Sequence, residues 1–293
     1  TRRTLLDPYE PLLRGDWSIA RTAAVYIEGA EDCSVRDSRF EELGGNGVFL
    51  GGYNRRVEIT GCRFVNLGSS AICFVGETSA VRSPSIEYHN ELPYGKIDRR
   101  PGPKTPDYPA RCRAYDNLIH HIGLAGKQTA GVFISMSEEI TVGHNTIYHV
   151  PRAGICINDG CWGGHVIEHN DVFDTVRETG DHGPFNSWGR DRWWRVSDHY
   201  GANENPRMAK KLALLDAWKT TVIRHNRFSH TGSHTHGIDL DDGSTNYHIY
   251  KNLCLGMGWK TREGFFRRVE NNIAVSPYYV RTVSYTHLTL PTN

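Results

Sequence analysis

The residues best suited to chemistry lie in a short stretch at 236–243, which reads His-Gly-Ile-Asp-Leu-Asp-Asp-Gly. Apolar and acidic residues alternate in it, so an extended chain would carry Ile238 and Leu240 on one face and Asp239 and Asp241 on the other. Carboxylates on one side of a strand are separated by roughly 7 Å, because each residue adds about 3.4 Å. Catalysis by paired carboxylates can use this spacing. We therefore expect Asp239 and Asp241 to be catalytic.

A second dense run of polar and aromatic residues, at 180–194, begins Gly-Asp-His-Gly-Pro-Phe-Asn-Ser-Trp. Asp, Asn, His and Arg hydrogen-bond hydroxyls and carboxylates, and Trp offers a flat apolar ring for stacking. Asp181 is the third candidate catalytic carboxylate, expected ~10 Å or more from Asp239 because it precedes its strand. The predicted binding residues are Asn158, His182, Asn186, Trp188, Arg190, Trp193, His236, Asp242, Lys260, Arg262 and Glu263.

A short repeat supplies the scaffold for these residues. One short pattern recurs along the chain: an apolar residue, any two residues, an Asn or small residue, any one residue, and a second apolar residue. Successive copies are 20–28 residues apart, except for two steps of 55 and 56. A unit of about 25 residues with Gly-rich turns and no helical periodicity predicts an all-β parallel β-helix, in which coils bury their apolar faces against one another. We expect a ladder of amides at Asn117, Asn145, Asn170, Asn226, Asn252 and Asn272.

Each coil carries a second strand, and these strands align without gaps from the Gly or Ala that begins each one. Their alternation predicts two interior columns. The first contains Val48, Ile72, Val132, Ile155, Pro184, Ile238 and Trp259, and the second contains Leu50, Phe74, Ile134, Ile157, Asn186, Leu240 and Thr261.

The outward positions of these strands become charged in the last coils, where we expect three neighbouring pairs: Asp239 with Lys260, Asp241 with Arg262, and Asp242 with Glu263. A solvated face with exposed ion pairs is the simpler explanation, but such pairs contribute only about 0–1 kcal/mol each. The like-charge pair of Asp242 and Glu263 favours a functional site instead, because it destabilises the sheet unless a proton, a cation or a substrate is present.

The two long steps between repeats are insertions at about 77–110 and 190–218. Both leave the repeat just after the second strand, and long loops in compact domains are usually functional. We expect them to wall a cleft around the charged face. The predicted organisation is one β-helix domain over 1–282, followed by 283–293, which continues no coil.

The composition argues against several other classes of protein. A formal net charge of +1 and a pI near 7.7 predict no binding to nucleic acid. No apolar run reaches the length of about 18 residues that a membrane span needs. The seven cysteines lack the close spacing of zinc sites, so we expect buried small hydrophobes within the solenoid and no disulfides. The sequence begins at Thr1 without a signal-peptide pattern, and we expect a fragment of a longer chain.

Four stretches together resemble a known family: 180–192, 236–243, Asn-Tyr-His-Ile-Tyr-Lys-Asn-Leu at 246–253, and Arg-Glu-Gly-Phe-Phe at 262–266. They are similar to bacterial right-handed parallel β-helix carbohydrate-active enzymes, nearest to glycoside hydrolase family 141, over roughly 28–280. The resemblance implies a pectate-lyase-like solenoid, secreted or periplasmic, that acts on plant-type polysaccharide with fucosidase- or xylanase-like activity. Residues 283–293 resemble the translated sequencing-adapter tail of some metagenomic fragments.

Glycoside hydrolysis requires one protonated and one ionised carboxyl group. Lys260 would favour the ionised form of Asp239 as nucleophile or base, while crowding by Asp242 and Glu263 would raise the pKa of another carboxyl. We expect no metal or cofactor in a hydrolase, and a monomer whose partner is a polysaccharide or oligosaccharide.

Two alternatives stay open. In a polysaccharide lyase, the carboxylates would hold calcium against a uronate, and Lys260 or Arg262 would remove a proton. A solenoid that only binds glycan is the third candidate, since a fold alone does not decide function.

Overall fold

The computed structural model describes residues 10–11, 17–84, 92–159, 161–189, 192, 206–230, 236–262, 264–275 and 281–282. Over these residues the chain winds into a stack of coils, and successive coils place their strands side by side in parallel sheets. This arrangement is the parallel β-helix that the repeat predicts.

Three long parallel sheets form the walls of the solenoid. Sheet 1 consists of Ala23–Ile27, Asn46–Gly51, Ile72–Val75, Ala130–Ser135, Ala153–Asn158, Phe185–Trp188, Ile238–Asp241, Trp259–Thr261 and Arg281–Thr282. Sheet 2 consists of Ser34–Arg36, Glu58–Thr60, Arg113–Tyr115, Thr141–Gly143, Val166–Glu168, Thr221–Arg224, Tyr247–Tyr250 and Arg267–Glu270. Sheet 3 consists of Arg39–Leu43, Arg63–Leu67, Leu118–His120, Thr146–Tyr148, Asp171–Phe173, Arg227–Ser229, Leu253–Leu255 and Ile273–Val275.

Shorter elements join the three sheets. A small parallel sheet contains Ala30–Glu31, Asn54–Arg55 and Pro109–Ala110, and an antiparallel pair contains Glu10–Pro11 and Ser18–Ile19. Within the described ranges, the helical elements are two 3₁₀ turns, Thr78–Ala80 and Tyr94–Lys96, and one α-helix, Pro206–Asp216.

The α-helix Pro206–Asp216 lies in the second insertion, where the sequence analysis predicted only a loop. Its sequence explains it, because Pro206 suits a first helical turn and the following Met-Ala-Lys-Lys-Leu-Ala-Leu-Leu are strong helix formers. No helix in the described residues is long and apolar enough to cross a membrane.

The interior columns of sheet 1 are confirmed in six of the seven aligned coils. Fully buried in one continuous apolar core are Val48, Ile72, Val132, Ile155, Ile238 and Leu240. A stack of parallel strands puts equivalent residues of successive coils in contact, so each coil covers the apolar surface of the next.

The predicted register is wrong by one residue in the strand Phe185–Trp188. Phe185 pairs with Ile155 and Ile238, and Ser187 pairs with Ile157 and Leu240, so these two side chains face the core. Pro184 and Asn186 therefore do not line it. The gap-free alignment from Gly183 overlooked that the aromatic ring of Phe185 gains more from burial than Pro184 does. The shift turns Asn186 and Trp188 outward, beside Asp239 and Asp241.

The predicted asparagine ladder is present at the corner between sheets 2 and 3. The Nδ2 atom of each of the first five asparagines donates to Oδ1 of the next at 2.9 Å, from Asn117 through to Asn272. Each Nδ2 also donates to a backbone carbonyl of the preceding coil, as from Asn170 to Val142 O at 2.9 Å. These amides satisfy one another inside the stack.

The cysteines follow the prediction only in part. Cys62, Cys112 and Cys254 are buried in the core, whereas Cys73 and Cys156 are buried on the outer side of sheet 1. The remaining two depart from it, since Cys33 is exposed and Cys161 is partly exposed.

The two insertions pack against each other instead of standing apart as two walls. Ile97 of the first insertion packs with Leu212 of the α-helix. Arg192, whose side chain is fully buried, pairs with Asp216 and donates to the carbonyls of Asp98 and Arg100. The insertions therefore form one body.

Candidate active site

The predicted polar residues lie on the outer face of sheet 1. Because Ile238 and Leu240 face the core, Asp239 and Asp241 face away from it. Across the sheet, one row on this face contains Cys156, Asn186, Asp239 and Lys260, and the next row contains Ser135, Asn158, Trp188 and Asp241. The structure thus brings together residues from five successive coils.

This face is not the solvent-exposed surface that the sequence analysis expected. Asp239 is 0% exposed, and Asp241 and Asp242 are 9% and 6% exposed. Charged groups buried to this degree require partners, since an isolated ionised carboxylate loses several kcal/mol of hydration. The site is therefore a covered polar cluster.

Part of the cover is Trp17, which comes from the N-terminal segment. Its ring lies 5.2 Å from that of Phe133 and 5.4 Å from that of Trp188, and the guanidinium of Arg152 is 5.0 Å from its centroid. Trp17 also stacks on His182 at 6.4 Å. Trp17 therefore shields the outer face of sheet 1 beside the charged residues.

Two cations bridge the buried carboxylates. Lys260 Nζ lies 2.8 Å from Asp239 Oδ1 and 3.5 Å from Asp241 Oδ1. Arg262 Nη1 lies 2.7 Å from Asp241 Oδ1 and 2.9 Å from Asp242 Oδ1. The predicted pairs of Asp239 with Lys260 and of Asp241 with Arg262 are confirmed. Asp242 pairs with Arg262, and Glu263 lies outside the described residues.

The environment moves the pKa values of Asp239 and Asp241 in opposite directions. Burial raises the pKa of Asp239 to about 7; Lys260 opposes this shift and Asp241 reinforces it. Burial would also raise the pKa of Asp241, but Lys260 and Arg262 together hold it below its ordinary value. Near neutral pH, Asp239 can therefore carry a proton while Asp241 is ionised.

This assignment reverses the predicted roles. From the sequence alone, Lys260 is expected to keep Asp239 ionised. The pairing is as expected, but the complete burial of Asp239 outweighs one ion pair, whereas Asp241 has two cations. Lys260 itself keeps its proton: burial would lower its pKa, but Asp239 and Asp241 raise it.

Asp181 and His182 approach the cluster from the loop before Phe185–Trp188. One oxygen of Asp181, a ring nitrogen of His182 and one oxygen of Asp241 lie within 4.8 Å of one another. The Asp181 side chain is 65% exposed, so this carboxylate is open to solvent where Asp239 is not. Asp181 is therefore at the mouth of the cluster.

His182 is buried and held by Arg152, whose Nε donates to His182 Nδ1 at 2.7 Å. Burial lowers the pKa of His182 to about 3, and Arg152 adds to this effect. A second guanidinium nitrogen, Arg152 Nη2, lies 3.2 Å from His182 Nε2, and Nε2 lies 3.5 Å from Asp181 Oδ2. His182 is therefore a buried neutral ring between Arg152 and Asp181.

The group Asp181, His182 and Asp241 fits calcium poorly. Calcium prefers six to eight oxygen ligands, and here one of three donors is a nitrogen. Three cationic side chains already lie at these residues: Lys260 and Arg262 contact Asp241, and Arg152 contacts His182. These three side chains would repel a further cation. The donor set does not support a calcium-assisted reaction.

The remaining predicted site residues are placed as follows. Asn158 and Asn186 are fully buried on the outer face, and His236 lies just before Ile238–Asp241. The carbonyl of His236 is so close to Gly183 that a Cβ there would lie 1.6 Å from the oxygen, which explains the glycine. Arg190 and Trp193 lie outside the described residues.

Trp17 and Arg152 are the contributors that sequence reasoning missed. No repeat pattern includes Trp17, which precedes the first long coil. Arg152 lies just before the strand Ala153–Asn158, where nothing in the sequence distinguishes it from a surface arginine. Contacts between segments so far apart arise only from the folded chain.

Comparison with known proteins agrees with the architecture. Residues 21–190 match the family model described as "Right handed beta helix region", and the chain therefore belongs to that family. No curated protein matches the sequence.

Among solved structures, one titled "Glycoside hydrolase" superimposes with a TM-score of 0.66 at 15% identity, covering 87% of this chain and 39% of that chain. The A-module of the Azotobacter vinelandii mannuronan C-5 epimerase AlgE4 is similar with a TM-score of 0.45 at 13% identity, covering 89% of this chain and 58% of that chain. The chain thus spans less than two thirds of either structure, 39% of the first and 58% of the second, and likeness at such identities shows the fold alone.

Proposed function

We propose that this protein is a glycoside hydrolase whose chemistry is carried by Asp239 and Asp241. The observation that carries the proposal is the geometry of these two carboxyl groups on one strand: Asp239 is fully buried and contacts Lys260, whereas Asp241 contacts both Lys260 and Arg262. Burial accordingly raises the pKa of Asp239, while the two cations lower the pKa of Asp241. Hydrolysis of a glycosidic bond requires two carboxyl groups, one protonated so that it can donate a proton and one ionised so that it can act as nucleophile or base. The similarity to family 141 and to a solved glycoside hydrolase is consistent with this reaction.

In the proposed mechanism, Asp239 holds the proton that is passed to the departing sugar oxygen. Asp241, kept ionised by Lys260 and Arg262, either attacks the anomeric carbon to form a glycosyl–enzyme intermediate that water then hydrolyses, or takes a proton from the water that attacks that carbon directly. Asp181 at the mouth, beside Asp241, is the third carboxylate and assists with binding or with the entering water. The neutral ring of His182, held by Arg152, lies beside Asp181 without adding charge.

Elimination is the less favoured reaction because its base is missing. A lyase needs a neutral Lys or a free Arg to remove a proton from the sugar. Lys260 is held protonated by Asp239 and Asp241, and Arg262 is engaged with Asp241 and Asp242. The poor fit of calcium to the same group points in the same direction.

The proposed substrate is a complex polysaccharide, with a plant-type cell-wall polymer and a fucosidase- or xylanase-like activity as the finer proposal. Polymers of this kind occur outside the cell, so we propose that the protein acts as a secreted or periplasmic enzyme. We further propose that it works as a monomer, without a cofactor.

The decisive experiment offers plant cell-wall polysaccharides to the chain and to its Asp239→Asn and Asp241→Asn variants. We expect reducing sugar without the ultraviolet absorbance of an unsaturated uronate, and no effect of a calcium chelator. Each variant should lose at least about 10³-fold in rate, equivalent to about 4 kcal/mol of transition-state stabilisation. The rate of the unaltered chain should fall as pH rises through about 7, where Asp239 loses its proton.

Asp171→Asn is the matched control, because Asp171 is an exposed carboxylate on sheet 3 paired with Arg227. Its rate should equal that of the unaltered chain. If ultraviolet absorbance from an unsaturated uronate increased, and the increase stopped when calcium was chelated, the protein would be a lyase. Unchanged rates in both site variants, with a loss in Asp181→Asn, would move the chemistry to Asp181.

A further inference from the structure

Four polar side chains on the outer face of sheet 1 have buried atoms without hydrogen-bond partners among the described residues. These atoms are Asn158 Nδ2 and Oδ1, Asn186 Nδ2, Trp188 Nε1 and Ser135 Oγ. Each side chain is at most 3% exposed. A buried donor or acceptor left unsatisfied costs about 1–3 kcal/mol, so a group of them on one surface needs an explanation.

These four residues, named here the unpaired row, are neighbours on consecutive strands. Ser135 pairs with Asn158, and Asn158 pairs with Trp188, which pairs in turn with Asp241. Asn186 lies beside Asp239 in the adjacent row. The unpaired row therefore leads across the sheet directly to the two carboxylates.

The asparagine ladder shows that the unpaired row does not serve to hold the coils together. Asn170 is as buried as Asn158, yet its amide donates to Val142 O and Asn226 Oδ1 and accepts from Asn145. Asn158 has no such contact although it also lies between stacked strands. An amide that stabilises no neighbouring coil is available for something that the chain itself does not supply.

We infer that the unpaired row is a subsite that binds an uncharged, hydroxyl-bearing sugar ring next to the carboxylates. Sugar hydroxyls both donate and accept, which matches two amides, a hydroxyl and an indole N–H. The inference rests on the proposed function for the reaction that follows binding, but not for the binding itself.

The lack of charge on the bound ring follows from the cations around it. Among the described residues at this site, Arg152 contacts His182, Lys260 contacts Asp239, and Arg262 contacts Asp241 and Asp242. A uronate carboxylate placed on the unpaired row would lie beside ionised Asp241 with these cations already engaged. Buried like charges repel strongly, so a neutral ring is favoured.

Access to the unpaired row requires movement of Trp17. Its indole lies 5.4 Å from that of Trp188 and 5.2 Å from that of Phe133, so it occupies space over the row. When the Trp17 indole moves away, the ring of Trp188 is left with a free face on which a sugar ring can stack.

The test measures binding to the Asp241→Asn chain, which holds substrate without turnover, by titration calorimetry with xylotetraose, cellotetraose and tetragalacturonate. We expect at least one neutral tetrasaccharide to bind, and more tightly than tetragalacturonate. Adding Asn158→Leu should weaken that binding at least tenfold, equivalent to about 1.4 kcal/mol. In the otherwise unaltered chain, Asn158→Leu should leave the thermal midpoint unchanged or raise it, because it removes unsatisfied polar atoms.

Asn170→Leu is the matched control, since it should lower the thermal midpoint and leave the affinity of the folded protein unchanged. The inference is overturned if Asn158→Leu lowers the midpoint as Asn170→Leu does while affinity persists, which would mean that enclosed water pairs with the amide. It is also overturned if no oligosaccharide binds, or if tetragalacturonate binds best. If Asn158→Leu hydrolyses the substrate with an unchanged KM, the subsite is refuted but the proposed hydrolase activity is not. If an oligosaccharide binds in a manner that depends on Asn158 but no product forms, the hydrolase activity is refuted but the subsite is not.

Discussion

At the scale of single residues, Lys260 determines the electrostatics of the candidate site. Its ammonium group contacts Asp239 and Asp241 from the neighbouring strand, and all three side chains are nearly withdrawn from solvent. A buried ion pair gains Coulomb energy but loses hydration, so its net stabilisation is small, whereas removal of one partner is costly. Lys260 therefore matters most as the group that makes two buried aspartates tolerable.

Replacement of Lys260 by methionine should destabilise the protein in a pH-dependent manner. At pH 8 the variant must bury Asp239 and Asp241 without the ammonium, and breaking such a pair costs about 3–5 kcal/mol. At pH 6 a proton can neutralise Asp239, so the loss should be smaller. Urea unfolding at both pH values measures the difference. Lys251→Met, at an exposed turn, should change stability little at either pH.

An equal loss at pH 6 and pH 8 would contradict the protonation of Asp239 in the folded state. It would mean that Lys260 contributes by packing alone, and the division of the two carboxyl groups into donor and base would lose its support.

At the scale of elements, the asparagine ladder is expected to be a major source of stability. Asn145→Ala would remove a hydrogen bond from four buried atoms; Asn117 N and Ala114 O would lose the amide partner, while Asn117 Nδ2 would keep Ile59 O and Asn170 Oδ1 would keep the backbone N of residue 145. We expect a loss of about 3–5 kcal/mol in the free energy of unfolding, since each unsatisfied buried group costs about 1–3 kcal/mol.

Asn66, which is partly exposed and donates to Glu42, provides the comparison for the ladder. Asn66→Gly, which suits the positive φ of 54° at this residue, should cost less than about 1 kcal/mol in the same urea titration. If Asn145→Ala were no worse than Asn66→Gly, the amide stack would be a consequence of the coil geometry and not a cause of its stability.

The individual elements also show how much of the fold could be predicted from the sequence. Alternation of apolar residues predicted the coils and the outward direction of Asp239 and Asp241, because a strand has only two faces. It failed at Phe185, where Gly183 and Pro184 offer no apolar contrast and the alignment slipped by one residue. It also could not show that the face is covered by Trp17, since that contact joins segments that no local period relates.

The roles of the two aspartates could not be deduced from the sequence for a different reason. The neighbours of Asp239 were predicted correctly, but the direction of its pKa depends on how much water reaches it. That quantity is set by Trp17, Arg152 and the loop around His182, whose positions appear only in three dimensions.

At the scale of the whole molecule, stability should decrease in mild acid because several histidines are buried or stacked as neutral rings. Burial lowers the pKa of His120, His121, His225 and His182, and the rings of His121 and His149 stack at 3.8 Å. A lowered pKa in the folded state means that the unfolded chain takes up protons first as pH falls below about 6.5. The histidine contribution is thus complete above that pH and is lost below it.

Asp239 acts in the opposite direction over part of this range. Its raised pKa lets the folded state take up a proton from about pH 7 downward, which favours folding as the pH decreases toward its unfolded value. We therefore expect the thermal midpoint to fall from pH 7.5 to pH 5, and to fall more steeply in Asp239→Asn. Differential scanning calorimetry of both chains across this pH range shows which thermal midpoint falls more steeply. A shallower decline in the variant would show that Asp239 is ionised throughout.

The buried Arg192 has a consequence for how the solenoid comes apart. In a stack of coils each unit contacts only the adjacent ones, so unfolding can begin at either end and travel inward one coil at a time. Arg192 joins the carbonyls of Asp98 and Arg100 to the carboxylate of Asp216, and so fastens together loops that arise from coils separated by several turns. Unfolding that reaches the Arg192 contacts must therefore disrupt all of the coils between the two insertions together. The middle of the molecule should unfold as a single cooperative unit, while the two ends can unfold independently of it.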